Sequence, residues 1–500
     1  MFPTVFFKPK GYSFCCSKLT GLQTTGISYL KAAIDVAEGA ARSRGLVWFF
    51  SHMPHVSPAK VFSALVTSLA SPVKPPWILA DRPDLLANLL PDFAPGSGIG
   101  NCAQLRWWGG IGERSITGIT HAPCSHSAME DLITDIIAKA VMPWDARICA
   151  KSVAKKAVRA LFEPEAEHFA WGVRTTNFIA PLLAVLTCNI QAEDLDFSEQ
   201  GKQTARNPRH LDPYEVAILL AWGFSFHAKS HPPSMLVNLE AAAKRTEKRV
   251  HLLRCSPVCN VAVKDAYLVG ALPYESSTQT QWVDDTTTLT YRSACAAIDM
   301  FISLLDSLQK DFFTTPIEAM ASDLPVIVSD CDGYNETESD GETGFRIPCW
   351  IPPQNLGVAL ASTFNSDTIR HDRYTGFACF GGSPSQPALI GCWSNPINSP
   401  AKRAEMGSTG LRRAHKIYDL KVVIAEYFAL LASLEELRQN GIKDLHSALL
   451  NALICNFQRQ GPYRFLSGFP TCPINAQKWP SLLRDLTEAV LGRRLLKIFA

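Results

Sequence analysis

The residues best suited to chemistry stand where a polar loop meets a helix start, in the run Thr315-Pro-Ile-Glu318. The loop from Leu305 to Thr314 follows a short apolar run, and the β-branched run Val326-Ile-Val328 comes after the helix start. This alternation of strand, loop, helix and strand predicts a unit of a parallel sheet. Because ligands of such sheets sit beyond the carboxyl ends of the strands, we expect a binding site in the loop.

Glu318 also has a purely structural interpretation. Thr315 at the N-cap, Pro316 at the first helical position and Glu318 reaching back to the cap amide together form a capping box. Caps are so common that these four residues alone favour the structural interpretation. Only the sequence around them favours a ligand.

That surrounding sequence resembles the donor-binding segment of retaining glycosyltransferases of family 4. The match is carried by Thr315-Pro-Ile-Glu-Ala-Met-Ala, Leu324-Pro-Val-Ile-Val-Ser-Asp and Asp340-Gly-Glu-Thr-Gly-Phe-Arg-Ile-Pro. Members of that family have the GT-B fold, an α/β fold in which two Rossmann-like domains face each other across a cleft. The resemblance is to a bacterial branch. It implies transfer of a sugar from a nucleotide-diphospho-sugar to an acceptor hydroxyl with retention, in glycan or polysaccharide biosynthesis.

The resemblance implies donor-binding roles for the matching positions. Glu318 would bind the ribose hydroxyls of the donor. Amides at Phe313, Thr314 and Thr315 would face its diphosphate, as expected of an anion at a helix N-terminus. Lys229, in a Ser-Phe-His-Ala-Lys segment, would neutralise the diphosphate and stabilise the leaving group, although alone it would be a solvated surface lysine. Lys229 and Glu318 are therefore also catalytic candidates.

Two segments resemble the N-terminal domain of the same family. Around Gly21 a glycine-containing loop would let the backbone approach the donor and start a helix, although a plain strand-to-helix turn has the same composition. The run Ile116-Thr-Gly-Ile-Thr-His121 matches a strand whose final His lies in the cleft near the donor sugar. His121 is therefore a catalytic candidate, with His126 second, although a lone His is more often structural.

Several positions depart from the family's pattern. Lys310 stands at the first Glu of the Glu-x7-Glu motif, which normally contacts the transferred hexose, and a cation there would change sugar recognition or abolish it. Gly223 replaces the Arg that pairs with Lys229, and Phe312-Phe313-Thr314 replaces Phe-Gly-Leu. Losing one transition-state donor costs about 10²–10³ in rate. These changes support a second hypothesis, a catalytically impaired GT-B pseudoenzyme or binding subunit, and GT-B enzymes with other chemistry such as phosphorolysis form a third.

No metal or other cofactor is expected, because protein cations and helix dipoles would serve the diphosphate. Asp330-Cys-Asp332 has the spacing of a metal signature, but it matches a family segment that is not a metal site. The implied partners are a UDP- or GDP-sugar donor and a glycan, lipid-linked or small-molecule acceptor.

Length and composition limit the number of domains, the class of protein and its partners. The 500 residues suit two or three domains, and 47% hydrophobic with 19% charged residues describes a globular chain. A net charge of +2 gives no reason to expect nucleic acid as a partner. Fifteen scattered cysteines without a disulfide or zinc framework predict reduced thiols in a cytoplasmic protein. No segment suits a membrane span, while peripheral membrane contact is left open.

These patterns divide the chain into an acceptor-side Rossmann-like domain at 1–205, a nucleotide-sugar-binding Rossmann-like domain at 206–440 and a C-terminal helical extension at 441–500. The polar segment 199–213 marks the linker between the two Rossmann-like domains. Loops are predicted at 255–290 and 364–400, and helices at Ala401–Leu420 and Val422–Gln439.

Overall fold

The computed structural model describes four short strands before residue 99, then residues 99–106, 114–120, 126–137, 141–173, 179–221, 231–256, 260–284, 288–305, 314–353 and 356–444, with Gly112 and Phe224. Contacts along the chain define two units, Met1–Lys443 and Asp444–Ala500. The elements described below lie in the first unit, and its last helix ends at the border.

In the N-terminal part of the described chain, seven strands form one parallel sheet. They are β1 (Thr4–Phe6), β2 (Phe50–His52), β3 (Trp77–Leu79), β4 (Asp92–Ala94), β5 (Ile116–Ile119), β6 (Ala146–Cys149) and β7 (Leu182–Val185). Their order is β3-β2-β1-β4-β5-β6-β7, so the winding reverses between β1 and β4. All residues of β5 and β6 are buried, as expected of strands covered on both faces.

The described helices that follow β4, β5 and β6 are α1 (Gly100–Arg106), α2 (His126–Ile137) and α3 (Ser152–Val173). Two buried ion pairs hold this layer together. Asp145 accepts hydrogen bonds from Arg106 at 2.6 Å and from the amide of Ile116 at 2.8 Å. Asp135 pairs with Arg147 and also accepts from the amide of Gly100 at 3.0 Å, at the start of α1. Each buried carboxylate thus has several donors, which offsets the cost of removing its charge from water.

A second sheet, of six strands in the described chain, is also parallel. It consists of β8 (Val216–Ala221), β9 (Val250–Cys255), β10 (Thr278–Val283), β11 (Met300–Ser303), β12 (Val326–Ser329) and β13 (Gly344–Ile347). The order β10-β9-β8-β11-β12-β13 reverses between β8 and β11, and this switch point is where parallel sheets bind ligands.

Ten α-helices of the described chain follow α3 and precede its last long helix. They are α4 (Glu199–Arg206), α5 (Pro232–Thr246), α6 (Val261–Val269), α7 (Thr288–Ala297), α8 (Thr314–Ala321), α9 (Tyr334–Thr337), α10 (Val358–Asn365), α11 (His371–Cys379), α12 (Gln386–Asn398) and α13 (Pro400–Arg413). Successive strand residues belong to two separate cores, with Leu219 in one and Leu220 in the other. The predicted strand, loop, helix and strand unit is confirmed as β11, α8 and β12.

Two predictions of irregular structure are wrong. The segment 255–290 contains α6 and β10, because Glu240 on α5 accepts hydrogen bonds from the amides of Ser277 and Thr278 and so fixes a polar edge strand. The segment 364–400 contains α11 and α12, and the fully buried Trp393 anchors α12. The segment 199–213, predicted as the linker, lies between β7 and β8 and begins with α4, whose N-cap Ser198 accepts from the Gly201 amide at 3.2 Å.

The two predicted C-terminal helices are confirmed as α13 and α14 (Leu420–Asp444), joined through a π-helical turn at Ala414–Tyr418. Helix α14 returns to the first sheet, where the hydroxyl of Tyr427 lies 2.7 Å from that of Thr117 on β5. At the crossing between the sheets, Asp419 forms a parallel bridge with Ile190. The domain limits stay predictions, although α14 runs continuously through the predicted limit at 440.

Candidate functional site

Glu318 lies on α8, a helix that begins at Thr314, two residues before the first helical residue of the predicted capping box. Thr315 is therefore a helical residue and not the N-cap, a shift of the size that separates methods of assigning helix ends. Glu318 is half-buried, between the buried Ile317 and Ala319. The first turns of α8 thus carry Thr314, Thr315 and Glu318, whose donor-binding roles stay predictions.

Tyr291 on α7 lies near Glu318, and α13 packs against the C-terminal end of α8. On α7, burial raises the pKa of the Tyr291 hydroxyl well above its ordinary value, and the nearby Cys295 and Glu318 add to this effect. On α13, a Cβ at Gly407 would lie 2.2 Å from the carbonyl oxygen of Asp323, in the turn that ends α8. The absent side chain therefore lets α13 approach α8 closely.

Two hydroxyl contacts join the carboxyl ends of β11 and β12. The hydroxyls of Ser303 and Tyr334 lie 2.6 Å apart, and Ser329 donates to the carbonyl of Leu305 at 2.6 Å. Both contacts are buried, so the first residues of the predicted ligand loop have fixed positions. The remainder of that loop, 306–313, lies outside the described residues.

Most of the predicted site residues also lie outside the described part of the chain. Gly21, His121, Lys229, Lys310 and Phe313 are outside the described residues, so their roles stay predictions. Among the described positions next to them in the sequence, Thr120 is buried at the end of β5. His231, directly before α5, has a left-handed backbone conformation with φ of 47°.

An aromatic cluster beside β8 and β10 was not found by sequence reasoning. The ring centroid of Phe224 lies 5.1 Å from that of Tyr267 on α6 and 4.8 Å from that of Trp282 on β10. The Lys264 ammonium lies 5.8 Å from the centroid of the Trp282 ring. A lone tryptophan in the otherwise polar run Thr278-Gln-Thr-Gln-Trp282 was the available signal. The cluster forms an apolar wall near the carboxyl ends of these strands.

Sequence reasoning also missed a contact between the two sheets. The carboxylate of Glu336, on α9 after β12, accepts hydrogen bonds from the Ser152 amide at 2.9 Å, the Ser152 hydroxyl at 2.7 Å and the Val153 amide at 2.8 Å. Ser152 begins α3, directly after β6. The carboxyl ends of β6 and β12, one from each sheet, are thereby joined.

Electrostatics favours the charged form of Glu336. Burial raises its pKa, but the donors at Ser152 and Val153 and the charge of Lys151 outweigh burial, so the pKa lies below its ordinary value. The Lys151 ammonium donates to the Tyr418 hydroxyl at 3.1 Å. A cation, a carboxylate and a tyrosine thus lie together where the sheets meet.

No group of three or more His, Cys, Asp or Glu side chains among the described residues could hold a metal ion. None of the described cysteines forms a disulfide bond with another described cysteine. Within the same residues, no helix has both the length and the apolar character needed to cross a membrane.

Known proteins resemble this chain in sequence and in structure. The family model described as Glycosyl transferases group 1 matches residues 242–365. The structure of Anabaena HepE in complex with UDP has a TM-score of 0.56 at 13% identity, covering 87% of this chain and 100% of that one. For Anabaena HepE in complex with UDP-glucose the TM-score is 0.54 at 12% identity, with the same coverage.

A glycosyltransferase from Rickettsia africae gives a TM-score of 0.50 at 12% identity, covering 87% of this chain and 98% of that one. No curated protein matches the sequence significantly. The chain therefore has the α/β GT-B fold, with two Rossmann-like parallel sheets, as predicted. Residues 445–500 of the predicted C-terminal extension lie outside the described residues.

Proposed function

We propose that this protein is a glycosyltransferase that moves a sugar from a nucleotide-diphospho-sugar to an acceptor hydroxyl. The position of Glu318 on the first turns of α8, beside the switch point of the second sheet, carries the proposal. A carboxylate suits the ribose hydroxyls of a nucleotide, and the amides of a helix start suit its phosphates. The helix that follows β11 offers both groups within two turns.

The donor would lie against the second sheet. Glu318 would hold the ribose, and the diphosphate would lie against the start of α8, at Thr314 and Thr315, with Lys229 supplying positive charge. These groups also stabilise the nucleoside diphosphate as it leaves, because they act on the charge that develops there. UDP is the first nucleotide to test, since the HepE structures contain UDP and UDP-glucose.

The acceptor would approach from the first sheet, where the sequence places the Gly21 loop and His121. Retention, metal independence and a role in glycan biosynthesis belong to the proposal, as does a cytoplasmic location with peripheral membrane contact open. The acceptor is a glycan, a lipid-linked sugar or a small molecule.

One sequence observation favours a second candidate function. Lys310 replaces the acidic residue that contacts the transferred hexose in the family that the sequence resembles. A binding subunit with the same fold would keep the nucleotide site but lack turnover. Lys310→Glu restores the Glu-x7-Glu pattern and should then create sugar transfer where the wild type has none.

A thermal-shift panel of UDP, GDP, ADP and their sugars tests the nucleotide site. A ligand at about 100 times its Kd stabilises a protein by about 2.7 kcal/mol, a shift of several degrees. We expect a shift with one nucleotide and its loss in Glu318→Gln. Glu247→Gln, which changes an exposed carboxylate in the same half of the chain, is the matched control and should keep the shift.

The outcomes separate the candidates. A shift abolished only by Glu318→Gln, followed by sugar transfer with the matching donor, supports the transferase. A shift without turnover favours the binding subunit. No shift with any nucleotide would contradict both.

A further inference from the structure

We propose that Glu336 is an interdomain positioning residue, which caps α3 of the first sheet and so sets how the carboxyl ends of the two sheets face each other. The consequence for catalysis rests on the proposed function. The effect on domain orientation stands without it.

The cap has the geometry of a specific contact. The first amides of a helix have no partner within the helix, and at α3 two of these amides, at Ser152 and Val153, donate to a single carboxylate. The Ser152 hydroxyl supplies a third hydrogen bond. Hydrogen bonds to an ionised group are roughly twice as strong as neutral ones, and a helix N-terminus favours negative charge. Residues of one domain usually supply such caps locally, whereas Glu336 is 184 residues away from Ser152.

Glu336 is itself firmly mounted on the second sheet. The guanidinium of Arg413 on α13 donates to the carbonyls of Glu336 and Thr337, both at 2.9 Å. The hydroxyl of Tyr418 donates to the same Glu336 carbonyl at 3.4 Å and also accepts from Lys151. These hydrogen bonds hold the backbone of Glu336 against α13 and Tyr418.

The chain passes between the two sheets at two adjacent places, and the cap opposes rotation of the sheets about these connections. In the described chain, the link after β7 and the link before α14 run side by side, with Ile190 donating to the Tyr418 carbonyl at 2.9 Å and Leu420 donating to the Ile190 carbonyl at 3.0 Å. Adjacent links allow rotation about their common line. Because Glu336 joins the two sheets next to this line, its cap fixes the angle of that rotation.

The first experiment measures the cap and the orientation together, in the full chain without ligand. Glu336→Gln removes the charge at nearly constant size, and Glu342→Gln is the matched control. We expect the Ser152 and Val153 amides to exchange hydrogen about 10- to 100-fold faster in Glu336→Gln, the change expected from losing a hydrogen bond to a charged group. Small-angle X-ray scattering should show a larger radius of gyration in the same variant only.

Ser152→Ala keeps Glu336 and removes only the hydroxyl donor, so it provides a milder test if Glu336→Gln folds poorly. It should raise the exchange of the Val153 amide less than Glu336→Gln does. Glu336→Asp retains the charge and should recover part of the wild-type radius.

Two results would overturn the proposal. Unchanged exchange at Ser152 and Val153 would mean that the cap does not form in solution. Faster exchange with an unchanged radius of gyration would mean that Glu336 caps α3 without setting the orientation of the sheets.

An activity measurement then separates this proposal from the proposed function. The proposed nucleotide contacts at Glu318 and the start of α8 belong to the second sheet, so Glu336→Gln should keep the nucleotide-induced thermal shift. kcat should fall about tenfold to a hundredfold, since misplacement by a fraction of an ångström to an ångström has such effects. If no donor is ever found, the proposed function fails, while the exchange and scattering results still decide the role of Glu336.

Discussion

The hydroxyl of Thr117 on β5 lies 2.7 Å from the hydroxyl of Tyr427 on α14, although 310 residues separate them in the chain. The contact is buried and ties a strand of the first sheet to a helix that follows the whole second sheet. The Trp144 ring packs closely against α14 at the same junction: a Cβ at Gly441 would lie only 2.7 Å from a ring carbon.

Tyr427→Phe should lower the free energy of unfolding by about 1 kcal/mol, the usual contribution of one neutral hydrogen bond. Urea unfolding followed by circular dichroism measures the change. Tyr214→Phe alters an exposed tyrosine and should leave stability unchanged. Equal effects of the two substitutions would contradict the role of the Thr117 contact.

Glu338 should make the protein less stable as the pH rises. Burial raises its pKa to about 8, while Arg413 and Arg346 oppose the shift and Asp340 adds to it. The folded state thus holds a proton that the unfolded state releases near its ordinary pKa of 4.5, so stability falls between about pH 4.5 and about pH 8. The slope is at most about 1.4 kcal/mol per pH unit.

Glu338→Gln keeps an acceptor for the Thr343 hydroxyl and removes the ionisation. Urea unfolding across that pH range should show a flatter dependence for this variant, and a gain over the wild type that grows towards the alkaline end. The exposed Glu342→Gln should follow the wild-type curve. Parallel curves for all three proteins would rule out an ionisable, buried Glu338.

Glu240 should act in the opposite direction, at acid pH. Burial raises its pKa, but hydrogen bonds from Ser276, Ser277 and Thr278 outweigh burial and lower the pKa to about 2. Its stabilisation is therefore complete above about pH 4.5 and is lost as the pH falls towards about 2. Glu240→Gln should destabilise the protein at neutral pH, and the deficit should shrink on acidification. Glu247→Gln, at the exposed end of the same helix, is the control.

Two glycine-to-alanine substitutions should have opposite signs. Gly407→Ala places a methyl group 2.2 Å from the Asp323 carbonyl oxygen, so α13 must move away from α8. We expect a loss of about 1–3 kcal/mol, typical of overpacking. Gly391→Ala on α12 meets open space and should stabilise the protein by up to about 1 kcal/mol. Chemical unfolding of both variants checks the contrast, and a neutral Gly407→Ala would show that α13 is not in close contact with α8.

Local pattern was sufficient to predict the elements that carry the candidate donor site. The β-branched run of β12 and the helix start at Thr315 are short-range signals, and both predicted the observed elements within two residues. The helices on either side of Tyr418 were also predicted, although the first ends at Arg413 and the second continues to Asp444.

Composition failed where tertiary contacts determine the structure. The Ser/Thr-rich sequence of β10 predicts a loop, but Glu240 supplies acceptors for its amides and the segment forms a strand. The sequence of α12 likewise predicts a loop, but burial of Trp393 stabilises a helix. The contact between Glu336 and Ser152 could not be predicted at all, since nothing in either local sequence identifies the other. Such contacts depend on the packing of two separately formed sheets.

Because α14 packs on β5, the first sheet cannot be completed during synthesis until α14 has been made. Ribosomes add about 5–20 residues per second, so roughly 15–60 s pass between the synthesis of Thr117 and that of Tyr427. Over that interval the face of the first sheet that α14 will cover has no native partner, while the second sheet is already being made. The nascent chain is therefore most exposed to chaperones, and to aggregation, after its first half has been made and before its last long helix arrives.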